Sequence, residues 1–93
     1  MKKESGQLYL KRLGVKVKTA RLTVGMTQEQ VADVTGFHRT YISQTERGLT
    51  NPTLVNLFEL AEGLNTHVSL LIEDIFEEDS DKAVDPEVNG DNQ

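Results

Sequence analysis

The stretch Thr27-Gln28-Glu29-Gln30-Val31-Ala32-Asp33-Val34-Thr35-Gly36-Phe37-His38-Arg39-Thr40-Tyr41-Ile42-Ser43-Gln44-Thr45-Glu46-Arg47-Gly48 reads as two short helices joined by a tight glycine turn. Thr27 and Gln30 have the spacing of a capping box, in which each side chain satisfies a backbone donor of the other residue. Gly36 supplies a left-handed turn residue at no steric cost. Ala32 is small where two helices are expected to cross closely. Phe37 and Ile42 flank the start of the second helix and are expected to turn into the core. That geometry lets a protein lay its second helix along the major groove of DNA.

Outward from this segment, Leu10, Leu13, Val17, Ala20 and Val24 follow at spacings of three and four. They mark one face of a helix over about residues 7–24, with Gly25 in the favoured position just beyond its end. The motif helices then cover about 28–35 and 39–47, the second closed by Gly48. A loop from Leu49 to Pro52 leads to a fourth helix over about 54–63, capped by Thr53 or Asn51, with Leu54, Leu57, Phe58, Ala61 and Leu64 expected to face inward. Val68, Leu71, Ile72, Ile75 and Phe76 predict a fifth helix over about 68–76. No strand-like alternation and no internal repeat occurs.

Composition bounds the function. Ninety-three residues with five aromatic side chains make one domain with a modest core and little room for an enclosed substrate pocket. The absence of cysteine excludes a disulfide framework and a zinc finger, and fits a reducing cytoplasm. Met1-Lys2-Lys3 is not followed by an apolar core, so no signal peptide is expected, and no apolar run approaches the roughly 20 residues of a membrane span. The net charge of −5 is divided unevenly. Residues 1–72 carry nine Lys or Arg against six acids, giving +3, whereas residues 73–93 carry nine acids against Lys82, giving −8. The acidity belongs to the tail. The chain therefore divides into a domain over 1–76, its core over about 10–76, and an acidic, disordered tail over 77–93.

Residues from about Leu13 to Ile72 resemble the phage-repressor (Xre/Cro-type) helix-turn-helix family. Phe37-His38-Arg39-Thr40-Tyr41-Ile42-Ser43, with Glu46-Arg47-Gly48 and Asn51-Pro52-Thr53, is similar to the small controller proteins of restriction–modification systems. The resemblance implies an all-α, compact five-helix lambda-repressor-like DNA-binding domain, a homodimer, and transcriptional control from palindromic operators on double-stranded DNA. It also implies a structural salt bridge between Arg21 and Glu46, and a phosphate grip by the glutamine at position 28. Arg21 suits that role, because its planar fork fits a partly buried carboxylate better than lysine would. Three departures stand out: Thr45 is polar where an apolar residue is common, the Leu49-Thr50-Asn51 loop lacks basic residues, and the acidic tail is an addition. The last two imply modest non-specific affinity.

Arg39, Thr40, Ser43 and Gln44 fall on the outer face of the third helix, since positions four apart share a side. Arg39 suits a bidentate contact to guanine and Gln44 one to adenine, while Thr40 offers a methyl to thymine or a hydroxyl to phosphate. Tyr41 either packs along the helix or reaches DNA. Thr27 and Gln28 open the second helix, where free N–H groups and the helix dipole form an anion site. Val68, Leu71, Ile72, Ile75 and Phe76 are expected to contribute to a dimer contact, or else to close the domain's own core. His38 and His67 have no neighbouring ligands, so no metal is expected, and no cofactor is implied. An enzyme fails on inventory: no Cys, no Ser-His-Asp grouping, no glycine-rich phosphate loop and no metal cluster. The alternative from a different class is an interaction module, an antitoxin-like chain whose acidic tail wraps a basic protein partner.

Overall fold

The computed structural model describes residues 3–75 and is helical throughout, with no strand among them. Five helices follow in order: α1 (Lys3–Thr23), α2 (Gln28–Thr35), α3 (Arg39–Glu46), α4 (Leu54–Gly63) and α5 (Val68–Ile72). α1 packs across α3 and α5, α2 packs on α3 and α4, and α4 closes on α5. Leu13, Val17, Val31, Ile42, Leu60, Ala61, Leu64 and Leu71 form the core, with Ala20, Met26, Ala32, Phe37, Tyr41, Leu57 and Val68 packed around it.

Helix boundaries follow local chemistry. The α2 capping box is complete: the Gln30 amide donates to Thr27 Oγ1 at 3.0 Å and the Thr27 amide donates to Gln30 Oε1 at 2.8 Å. Gly36, at φ +83°, ends α2 with its amide on the Ala32 carbonyl. α3 ends in a Schellman closure around Gly48, where the Leu49 amide reaches the Gln44 carbonyl at 2.8 Å and the Gly48 amide reaches that of Thr45 at 3.1 Å. α4 closes the same way with Asn65 (φ +57°) in the left-handed place. Thr53 is the α4 cap, accepting from the Asn56 amide at 3.0 Å. His38 and His67 precede α3 and α5 without a side-chain capping bond.

Four expectations are corrected. α1 starts four residues earlier than its apolar period indicates and ends at Thr23, so Val24 follows the helix and is exposed. α5 stops at Ile72 rather than 76. Acidic Glu73 and Asp74 stand directly after it, at the end where the helix dipole disfavours negative charge. Asp74 turns left-handed (φ +66°), Glu73 lies 3.7 Å from Lys16, and the Ile75 carbonyl accepts from Arg12 Nη1 at 3.0 Å. Leu54 and Phe58 face solvent, at 64% and 53% exposure, because α4 is apolar on two sides and only Leu57, Leu60, Ala61 and Leu64 are turned toward the core. Leu71 is fully buried and has no surface to offer a second copy. Phe76 and the acidic segment 77–93 lie outside the described residues, and with them the expectations of disorder and of a protein partner on the tail.

Gly14, in the middle of α1, sets the approach of α1 to α3. A Cβ there would strike the carbonyl oxygens of Glu46 and Thr45, the latter at 2.6 Å. In an exposed helix interior, Gly→Ala adds about 1 kcal/mol of helix propensity. Here the clash outweighs it, and Gly14→Ala is expected to lower the melting temperature by the equivalent of about 1–3 kcal/mol of overpacking. Thermal denaturation checks this; a raised melting temperature would mean that α1 can step back without loss.

Candidate nucleic-acid interface

α3 is amphipathic over two turns. Ile42 and Thr45 are buried, while Arg39, Thr40 and Gln44 are exposed and Ser43 is half-exposed on the opposite side. Thr45 is tolerated in the core because its hydroxyl is fully used: Oγ1 meets the Tyr41 carbonyl at 2.8 Å and Thr50 Oγ1 at 3.0 Å. A buried hydroxyl so bonded avoids the desolvation penalty that an unpaired one would carry, and it fastens the loop after α3 to the helix.

Beneath the motif lies a polar cluster that joins four segments. Arg21 on α1 forks onto Glu46 at the end of α3, with Nε donating to Oε2 at 2.6 Å and Nη2 to Oε1 at 3.1 Å. Its Nη1 donates to the Met26 carbonyl at 2.9 Å, holding the linker that leads into α2. Gln28, the first residue of α2, completes the set by donating from Nε2 to Glu46 Oε1 at 3.1 Å. The Glu46 side chain is only 4% exposed, so its charge relies on these donors rather than on water. Hydrogen bonding to Glu46 raises the pKa of Arg21 above its already high ordinary value, outweighing the opposing effect of burial, so the guanidinium is charged at any working pH.

Thr27, Gln28 and Arg39 line one open depression together with Arg21, Gly25, Met26 and Glu29. The structure thus brings the first turn of α2 beside the start of α3, and Thr40, Ser43 and Gln44 continue the surface along α3. Tyr41 is set apart from it. Its ring lies against Phe37, with centroids 4.9 Å apart and planes tilted by 46°, and its hydroxyl accepts from Asn56 Nδ2 at 2.9 Å. It braces α3 against α4. The sequence reading missed Asn56 and the Gln28–Glu46 bond, since neither partner stands at a telling spacing. It also missed exposed Arg47, which caps α3; an arginine at the end of a motif helix was the available signal. Among the described residues no group of three or more His, Cys, Asp or Glu is placed to hold a metal ion, and no helix is long and apolar enough to cross a membrane.

A helix-turn-helix family model matches residues 17–71. Control protein C.SmaI of Serratia marcescens is 43% identical over 60 residues, covering 64% of this chain and 71% of that protein. The crystal structure of the restriction-modification controller protein C.AhdI from Aeromonas hydrophila is similar with a TM-score of 0.65 and 34% identity, covering 67% of this chain and 94% of the other. The controller protein C.Esp1396I, solved as a tetramer in complex with its natural 35 base-pair operator, is similar with a TM-score of 0.66 and 34% identity, covering 75% of this chain and 92% of that one.

Removing Glu46 strands the Arg21 guanidinium and takes away the acceptor of Gln28 Nε2. Glu46→Ala is expected to destabilise the fold by about 3–5 kcal/mol, the range for breaking a buried pair by deleting one partner. Chemical denaturation measures it, and unchanged stability would refute the structural role of the pair.

Proposed function

Since this chain belongs to the helix-turn-helix family, we propose that it is a sequence-specific DNA-binding transcriptional regulator, acting as a homodimer on a palindromic operator. The carrying observation is that the outer face of α3 is exposed and polar while the helix itself is fixed on its other side by Ile42, Thr45 and the Arg21–Glu46 fork. Arg39 and Gln44 read base edges by bidentate contacts, each worth about 1–3 kcal/mol of discrimination. Thr40 and Ser43 supply shorter contacts to bases or phosphates between them.

Phosphate anchoring falls to the first turn of α2. The capping box uses the amides of Thr27 and Gln30. Those of Gln28 and Glu29 are left for a phosphate at the positive end of the helix dipole. Gln28 Nε2 gives one hydrogen to Glu46 and has a second for the backbone. The Thr27 hydroxyl accepts within the box and keeps its own hydrogen to donate. Tyr41 acts indirectly, as the strut between α3 and α4.

One eight-residue helix spans only a few base pairs, and a two-fold dimer reading half-sites about 10 bp apart supplies the missing specificity. We place the dimer contact on the exposed side of α4 and α5. There Val55 and Phe58, at 64% and 53% exposure, share a groove with Val68. Ile72 lies one turn beyond Val68 on the same row. Likeness to controller proteins supports the finer reading that the regulated operon is that of a restriction–modification system.

Selection of bound duplexes from a random DNA pool tests the reading. The wild type is expected to enrich a two-fold symmetric motif, and Arg39→Ala to lose preference at one symmetric pair of positions. A folded protein that enriches nothing would overturn it. For the dimer, Phe58→Glu is expected to give a folded monomer by sedimentation; a dimer that survives the substitution would move the contact away from α4.

A further inference from the structure

The outward side of α1 carries a row that neither the core nor the proposed DNA face uses. Leu8, Val15 and Leu22 stand seven residues apart, exposed at 42%, 63% and 58%, with exposed Lys11 and Lys18 interleaved. Seven-residue spacing keeps such positions on one side of a helix. The opposite side buries Leu13, Val17 and Arg21. Among the described residues neither Lys11 nor Lys18 has an ion-pair partner. A mixed row of apolar and cationic side chains suits an acidic segment with apolar residues of its own.

Such a segment begins beside this helix. After α5 the chain is held to α1 at two places: Glu73 lies 3.7 Å from Lys16 Nζ, and the Ile75 carbonyl accepts from Arg12 Nη1 at 3.0 Å. Residues 76–93 follow from that point, with seven acids and Lys82 for a net charge of −6, and with Phe76, Ala83, Val84 and Val88 among them. From Leu8 to Leu22 a helix rises only about 21 Å, whereas 18 residues of extended chain reach about 60 Å. A tethered segment also meets its site at an effective concentration of about millimolar, so several individually weak contacts suffice.

We propose that residues 76–93 dock on the Leu8–Lys11–Val15–Lys18–Leu22 face of α1 in the same chain, setting their carboxylates on Lys11 and Lys18 and their apolar side chains against Val15 and its neighbours. The occupant is the chain's own acidic segment rather than a second copy, because that segment starts at Arg12 and Lys16, on the flank of the row. Lys11 also packs against Gly48 at the turn that closes α3, where an added Cβ would lie 2.9 Å from the Lys11 Cα. The docked segment therefore borders the turn that closes α3.

The chain contains no cysteine, so Val84→Cys in the full chain takes a single nitroxide label. At about 50 mM salt, within reach of surface charge pairing, the label is expected to broaden the amide signals of residues 8–22 selectively. The broadening should disappear at about 0.5 M salt, and in a Lys11→Gln, Lys18→Gln variant whose spectrum is otherwise that of the folded protein. Uniform or absent broadening overturns the proposal, as does broadening that persists in the lysine variant. A mixture of isotope-labelled chains without nitroxide and unlabelled chains with it should stay sharp over residues 8–22; broadening there would assign the docking to a second copy. None of these readouts depends on DNA binding.

Discussion

The Arg21–Glu46 fork is the constraint on which the arrangement of the motif depends. α2 and α3 contain eight residues each, too few to be stable helices in water by themselves. Their relative placement must come from outside. The fork supplies it, because one guanidinium bonds the last residue of α3 and the carbonyl of Met26 just before α2. Gln28 then ties the first residue of α2 to the same carboxylate. A buried charge of this kind adds little net stability compared with an apolar packing of equal volume. Its contribution is geometric: the bonds are directional, so they fix the angle between α2 and α3 in a way that aliphatic contact would not.

Two further features hold the same helix from other directions. Gly14 lets α1 lie directly against the carbonyls of Thr45 and Glu46, bringing Arg21, two turns further on, within reach of its partner. Thr45 turns a core position into a two-way hydrogen-bonding post, to the Tyr41 carbonyl within α3 and to Thr50 in the following loop. Tyr41 reaches α4 through Asn56. The outer row of Arg39, Thr40, Ser43 and Gln44 is thus backed by bonds to α1, α2, α4 and the loop. For the base contacts proposed for that row, a rigid mount leaves less ordering to be done on binding.

The parts of the fold legible in the sequence are those with local causes. α2 matches its expected bounds to the residue, because the Thr27–Gln30 box and Gly36 mark both ends chemically. α4 likewise begins after Thr53. Where the deciding forces are tertiary, the pattern misleads. In α4, Leu54, Val55, Leu57, Phe58, Leu60, Ala61 and Leu64 occupy more than one stripe, and periodicity does not say which stripe meets the core. The apolar spacing carries α5 four residues too far, to 76, because it does not register the acids Glu73 and Asp74 at the helix end, the approach of Lys16 to Glu73, or the bond from Arg12 to the Ile75 carbonyl. The Gln28–Glu46 bond spans 18 residues with no motif to announce it. Of the candidate site, the residue types on α3 were readable from spacing alone; the diversion of Tyr41 into a strut was not, because it depends on where Asn56 lies.

The charge distribution follows from the same separation of local and distant effects. The overall balance of −5 sits poorly with a surface that meets phosphate, since counter-ion release provides most of the sequence-independent affinity for DNA. The acids, however, cluster after Ile72, whereas residues 1–72 carry an excess of three cations. Fields between exposed charges fade over about 8–10 Å at physiological ionic strength. Under the proposed reading, what a phosphate meets is therefore set by the groups within a few ångströms of it, at the start of α2 and at Arg39 on α3, all on the chain's cationic part. With no Lys or Arg in the Leu49–Asn51 loop, that reading assigns a small share to sequence-independent attraction and a larger one to the base contacts. A protein built this way gives up strong non-specific affinity and in return spends less time on the wrong sites.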